Sequence, residues 1–180
     1  MKTLFNFQHE LKWSLEEDKN MLTLFFNCEG VEERRYNSYR NISEVNDIHK
    51  LVVALLGQDI REEDIGIITP YEEQKQLIVG QLVYQSKMKK LQIANVDAFQ
   101  GQEKEIILLS CVRSTPEYPI EYASIGILNN RRRLNVALTR ARLLIIVGNI
   151  EKLSSNSMWE NLINHHKKEG FVRKQLSIQV

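Results

Sequence analysis

Short apolar runs alternate with amphipathic stretches along most of this chain, and that alternation restricts the fold more than any other property. Met21 to Asn27, Ile65 to Thr69, Leu91 to Val96, Glu105 to Val112 and Leu143 to Gly148 are rich in Ile, Leu, Val and Phe and have the length of strands. Between the first two, Val45, Ile48, Leu51, Val52, Leu55 and Leu56 recur at helical spacing, with Asn41 and Glu44 in capping-box positions and Gly57 as a stop. The polar stretch from Cys28 to Asn41 reads as a connecting loop. Thr69 is placed to cap a second helix, with Pro70 at its first position and Glu72 three residues on, running to about Ser86. An arginine-rich helix is expected from about Asn130 to Ala141, and a last one near Met158 to Lys168 packs Trp159, Leu162 and Ile163. Strand and helix in turn predict an α/β fold with a central, mostly parallel sheet and binding loops at the carboxyl ends of its strands.

At 180 residues the chain makes one ordinary domain. Its net charge of +1 conceals segregation. Five arginines fall between Arg131 and Arg142, while acidic residues concentrate in Glu10 to Glu33 and Glu62 to Glu73, so the balanced total leaves a polyanion ligand open. Cys28 and Cys111 each end an apolar run and read as buried free thiols of a reducing compartment in preference to a disulfide, a choice that two cysteines alone leave open. Nothing near Met1 resembles a signal peptide and the apolar runs are too short to span a bilayer, so a soluble, intracellular protein, cytoplasmic or nuclear, is expected. His9, His49, His165 and His166 have no metal-ligand spacing with the cysteines, and neither Ser110 nor Cys111 lies in a nucleophile elbow. Neither a metal site nor covalent catalysis is expected.

Three segments carry the chemistry: Gly66-Ile67-Ile68-Thr69-Pro70-Tyr71-Glu72-Glu73-Gln74, Val96-Asp97-Ala98-Phe99-Gln100-Gly101-Gln102-Glu103, and Arg132 to Arg142 with Leu134, Val136, Ala137 and Leu138 interleaved. A glycine such as Gly101 permits close backbone approach to phosphate, and a neighbouring carboxylate accepts from ribose hydroxyls. Arginine keeps its charge near neutrality and presents a fork of donors to a phosphate. In this order the segments resemble motifs of the second RecA-like domain of superfamily 1 helicases of the up-frameshift-like group, over residues from about Met21 to Trp159.

The resemblance implies a three-layer RecA-like domain over residues 21–170, with an amino-terminal extension over 1–20 and a tail over 171–180. It implies that Arg140 is an arginine finger reaching an ATP γ-phosphate, that Gly101 and Glu103 face the nucleotide, and that Arg133 braces the same site or pairs with a carboxylate. Thr69, Tyr71, Asn95 and Asp97 are its candidates for gripping single-stranded RNA or DNA. Thr69 has the helix cap as its alternative role, Tyr71 is open between core and stacking platform, and Phe99 reads as core. The chain has no Gly-x-x-x-x-Gly-Lys-Ser/Thr loop and no Asp-Glu box, so ATP and Mg2+ are expected mainly on a first RecA-like domain of the same parent protein. The rival class is a module derived from a helicase domain that binds nucleic acid or protein without catalysis.

Overall fold

The structure, a computed structural model, describes residues 22–99, 103–114, 128, 141–168 and 170–173. Six strands form one sheet: β1 (Leu22–Asn27), β4 (Ile65–Ile68), β5 (Gln92–Ala94), β6 (Lys104–Ser110), β7 (Ala141–Gly148) and β8 (Val172–Arg173), in spatial order β5-β4-β6-β7-β1-β8. Every pairing in it is parallel. β8 has no counterpart among the strands expected from the sequence. Two short strands, β2 (Glu33–Arg35) and β3 (Ser38–Arg40), make a separate antiparallel hairpin where the sequence suggested a plain loop.

Alternate residues of each central strand feed opposite cores, as expected for a sheet covered on both faces. Leu24, Phe26, Ile65, Ile67, Ile106, Leu108, Leu143, Ile145 and Val147 pack on one side, against Val45, Ile48, Leu51, Val52 and Leu55 of α1 (Ile42–Leu56). Ile78 of α2 (Glu72–Val79) and Leu82 of the π-helical turn that prolongs it (Gly80–Gln85) join this layer. Phe25, Ile107, Leu109, Leu144 and Ile146 face the other way, onto Ile150 and Leu153 of α3 (Ile150–Ser154) and Trp159 and Ile163 of α4 (Ser157–Lys168). The result is the expected three-layer, RecA-like α/β/α sandwich. Gly66 has a specific purpose in it: a Cβ there would come within 2.8 Å of the Phe99 ring, which lies fully buried against β4.

Strand order puts the topological switch between β4 and β6, since the chain leaves β4 toward β5 on one side and leaves β6 toward β7 on the other. The expected arginine helix, the loop after Ser114, the extension over residues 1–20 and the tail after Arg173 lie outside the described residues. Among the described residues no helix is long and apolar enough to cross a membrane.

Candidate functional site

At the switch point the carboxyl ends of β4 and β6 are joined by buried polar side chains. Asn41 caps α1, its side-chain oxygen accepting from the Glu44 N–H (3.3 Å). The reciprocal half of the expected capping box is absent, because the Glu44 side chain turns inward, as helix geometry requires of a residue four before Ile48 on the apolar face. Gln74 of α2 takes its place, accepting from the Asn41 N–H at 2.8 Å. The Gln74 amide in turn donates to the Asn41 carbonyl (3.2 Å) and to Ser110 Oγ (2.9 Å). Ser110 Oγ donates to Glu44 (2.6 Å), whose two oxygens also accept the Val112 N–H at 2.9 Å each. All of Asn41, Glu44, Gln74 and Ser110 have zero exposure. Burial pushes the Glu44 carboxyl up to about 8, against the opposing pull of Ser110 and the Val112 and Cys111 N–H groups.

What this network holds is a strained turn. Val112 has φ 70, and the Arg113 N–H donates to the Cys111 carbonyl at 2.8 Å, closing the rarer, strained form of γ-turn around a β-branched residue. Arg113 is thereby aimed at Glu32 (2.9 Å, side chains 4% and 7% exposed) and lies 4.4 Å from the centre of the Tyr39 ring. Burial disfavours the Arg113 charge, but Tyr71 and Glu32 outweigh it and raise its pKa. Glu32 also accepts from the Ser114 N–H and donates its own N–H to Ser114 Oγ (2.8 Å). Tyr71 packs edge-on to Tyr39 at 5.7 Å, and burial first, eased by Arg113, leaves its hydroxyl pushed up to about 12.

The candidates for a nucleic-acid track follow β4 and β5 on this same rim. Thr69 is fully buried, its N–H donating to the Ala94 carbonyl (3.2 Å) and its Oγ1 accepting weakly from the Tyr71 N–H (3.5 Å). It is not the cap of α2. That helix begins after Tyr71, because the Thr69 backbone continues the pairing of β4 with β5, and the Glu73 N–H is met instead by Ser38 Oγ from the hairpin (3.3 Å). Tyr71 is core, 7% exposed. Asn95 is half-buried and donates to Glu72 at 3.3 Å, while its side-chain oxygen meets no partner among the described residues. Asp97 lies in a 3-10 turn (Val96–Phe99) after β5, and Phe99 is core as read from the sequence.

Glu103, the one nucleotide-side candidate among the described residues, belongs to the opposite rim, and not to a carboxyl-end loop. The segment that leaves the carboxyl end of β5 returns to the amino end of β6, so exposed Glu103 directly precedes Lys104. Lys104 pairs with Ala141, the first residue of β7. Just inside that edge Arg142 meets Glu105 at 3.3 Å. Gly101, Arg133 and Arg140 lie outside the described residues. Both cysteines are free and buried, and burial pushes the Cys28 thiol up to about 12 and that of Cys111 well above its ordinary value, so neither is a reactive thiolate.

Sheet order, two helical layers and a switch-point rim define a RecA-like α/β domain. Residues 3–151 match the AAA domain family, and the chain belongs to it. Regulator of nonsense transcripts 1 of Dictyostelium discoideum is 41% identical over 171 residues, 91% of this chain and 12% of its own length. The Drosophila melanogaster homologue is 45% identical over 136 residues (72% and 11%) and the ATP-dependent helicase upf1 of Schizosaccharomyces pombe is 40% identical over 157 (83% and 16%). The domain is of the up-frameshift-like superfamily 1 helicase type, and it spans less than a fifth of these relatives.

Asn41, Glu44, Gln74, Ser110, Arg113 and Glu32 escaped the sequence reading as a group. One signal for them exists in the sequence: Glu44 lies in the apolar stripe with Ile48, Leu51 and Leu55, where an unpartnered carboxylate would be prohibitive.

Proposed function

We propose that this chain is the second, C-terminal RecA-like domain of an ATP-dependent helicase that moves along single-stranded RNA or DNA, and that it supplies half of the active site. The observation that carries the reading is the register of β6 on β7, which makes Glu103 and residue 140 chain neighbours of the paired residues Lys104 and Ala141. A ribose-binding carboxylate and an arginine finger need to act on one nucleotide, and the residues that follow them in the chain, Lys104 and Ala141, are paired at that edge. Gly101 would allow the backbone close to phosphate, and Arg133 would brace the finger. Arg140 stabilises charge that grows on the transferring phosphate, and it does so only when the domains close. ATP and Mg2+ are held mainly by the first RecA-like domain, which supplies the phosphate loop and metal ligands. On the other rim Asn95 and Asp97, with the buried Thr69 and Tyr71 supporting them from behind, hold one strand through its backbone, so the two rims give the domain separate fuel and track sides.

The purified 180-residue chain is expected to show negligible ATP turnover with or without RNA, because one arginine and one carboxylate cannot position the reaction without a phosphate cradle. RNA-stimulated hydrolysis by the isolated chain would contradict the half-site reading.

A further inference from the structure

The β2–β3 hairpin is rooted on the track rim and its tip stands clear of it. At the root, Ser38 Oγ accepts from the Glu73 N–H, and Tyr39 is packed between Tyr71 and the Arg113 guanidinium. At the tip, Tyr36 is 88% exposed and has φ 50, a left-handed backbone that glycine or asparagine adopts more readily than an aromatic residue. The fold gains no core packing from the ring. Arg34 and Arg35 are exposed beside it, on opposite faces of the ribbon, and neither has an acidic partner among the described residues. The nearby acids are engaged: Glu33 accepts two hydrogen bonds from Arg40 (2.8 and 2.9 Å) and Glu32 is taken by Arg113 and Ser114.

We propose that Arg34, Arg35 and Tyr36 form a further contact for single-stranded nucleic acid, with the Tyr36 ring stacked on a base and the guanidiniums on neighbouring phosphates. The proposal rests on the reading of this rim as the track and extends that track onto the hairpin. Guanidinium forks suit phosphate oxygens, and an exposed ring stacks on any base, which fits a motor that must tolerate sequence. A folded protein partner would want a contiguous apolar patch depleted of charge, and from Arg34 to Asn37 the tip offers one ring among polar groups.

The test is a titration of the 180-residue chain with fluorescent oligouridylate and oligodeoxythymidylate over a range of salt. Replacing Arg34 and Arg35 by Ala together should reduce the slope of log K against log salt by about 1.4, roughly 0.7 for each phosphate left without its guanidinium. Tyr36→Ala should weaken binding about fivefold or more, and Tyr36→Trp should retain it. Tyr36→Gly should weaken binding as much as Tyr36→Ala while leaving the melting temperature equal or higher, an outcome a merely structural tyrosine would not give. If the wild type binds and all the hairpin variants match it in affinity and slope, the proposal is overturned, the tip is left to a protein partner and the track reading stands. If the wild type fails to bind either oligonucleotide even at low salt, both are overturned.

Discussion

Two residues near the carboxyl rim hold left-handed backbone without being glycine, and their surroundings are opposite. Val112, at φ 70, is fully buried, and its N–H is gripped by both oxygens of Glu44. Tyr36, at φ 50, stands 88% exposed at the tip of a hairpin. Backbone strain of this kind costs on the order of 1–3 kcal/mol per residue and persists only where something offsets it. At Val112 the offset is visible in a saturated network reaching from Asn41 through Gln74 and Ser110 to Glu44. Its product is the direction of Arg113. At Tyr36 no such network exists in the described structure, which is why the tip reads as a surface shaped for a ligand. Strain inside the network is offset by its own hydrogen bonds, whereas at the tip the proposed nucleic-acid contact is what would account for it.

Removing Glu44 should separate the two turns most sharply. Glu44→Ala leaves the Ser110 hydroxyl and the Val112 N–H buried without their acceptor, each a loss of roughly 1–3 kcal/mol. A total of about 3 kcal/mol or more is expected from urea denaturation. A loss below about 1 kcal/mol would mean that the strained turn does not depend on the carboxylate.

A second effect of the same carboxyl is expected with pH. The folded Glu44 carboxyl is raised to about 8 from an ordinary 4.5, so the native state retains a proton that the unfolded chain releases. Its contribution to stability is full below pH 4.5 and is lost as pH rises through about 8. Denaturation midpoints measured across that window should therefore fall more steeply for the wild type than for Glu44→Gln. Equal slopes in the two proteins would show that Glu44 ionises normally. The least effect belongs to the exposed turn, where Tyr36→Gly relieves strain without opening the core and should change stability by no more than about 1 kcal/mol, in the favourable direction.

Much of this architecture was legible in the residue pattern. The apolar runs became β1, β4, β6 and β7, because strands buried on both faces have no other composition, and the edge strand β5; α1 begins and ends at Asn41 and Gly57 as their capping chemistry suggests. Local patterns failed where distant residues intervened. The hairpin lies in a polar stretch without strong strand signals, and α2 is capped by Ser38 across a gap of 35 residues in place of its own Thr69. β8 is only two residues long, too short for periodicity, and is held by its pairing with β1. For the site, motif order marked the segments, but the division into two rims depends on β6 starting immediately after Glu103, which spacing alone does not specify. The buried hub was hidden because Glu44 satisfied a familiar helix-start pattern while its side chain was employed elsewhere.

If this domain completes an ATPase site from the β6–β7 edge, Arg140→Ala in the full-length parent must slow the chemical step itself. Turnover of ATP at saturating RNA should fall in kcat by about a hundredfold or more, with nucleic-acid affinity nearly unchanged, because the guanidinium acts mainly on transition-state charge. Turnover equal to that of the wild type would contradict the half-site reading and leave the motifs as a mark of ancestry only.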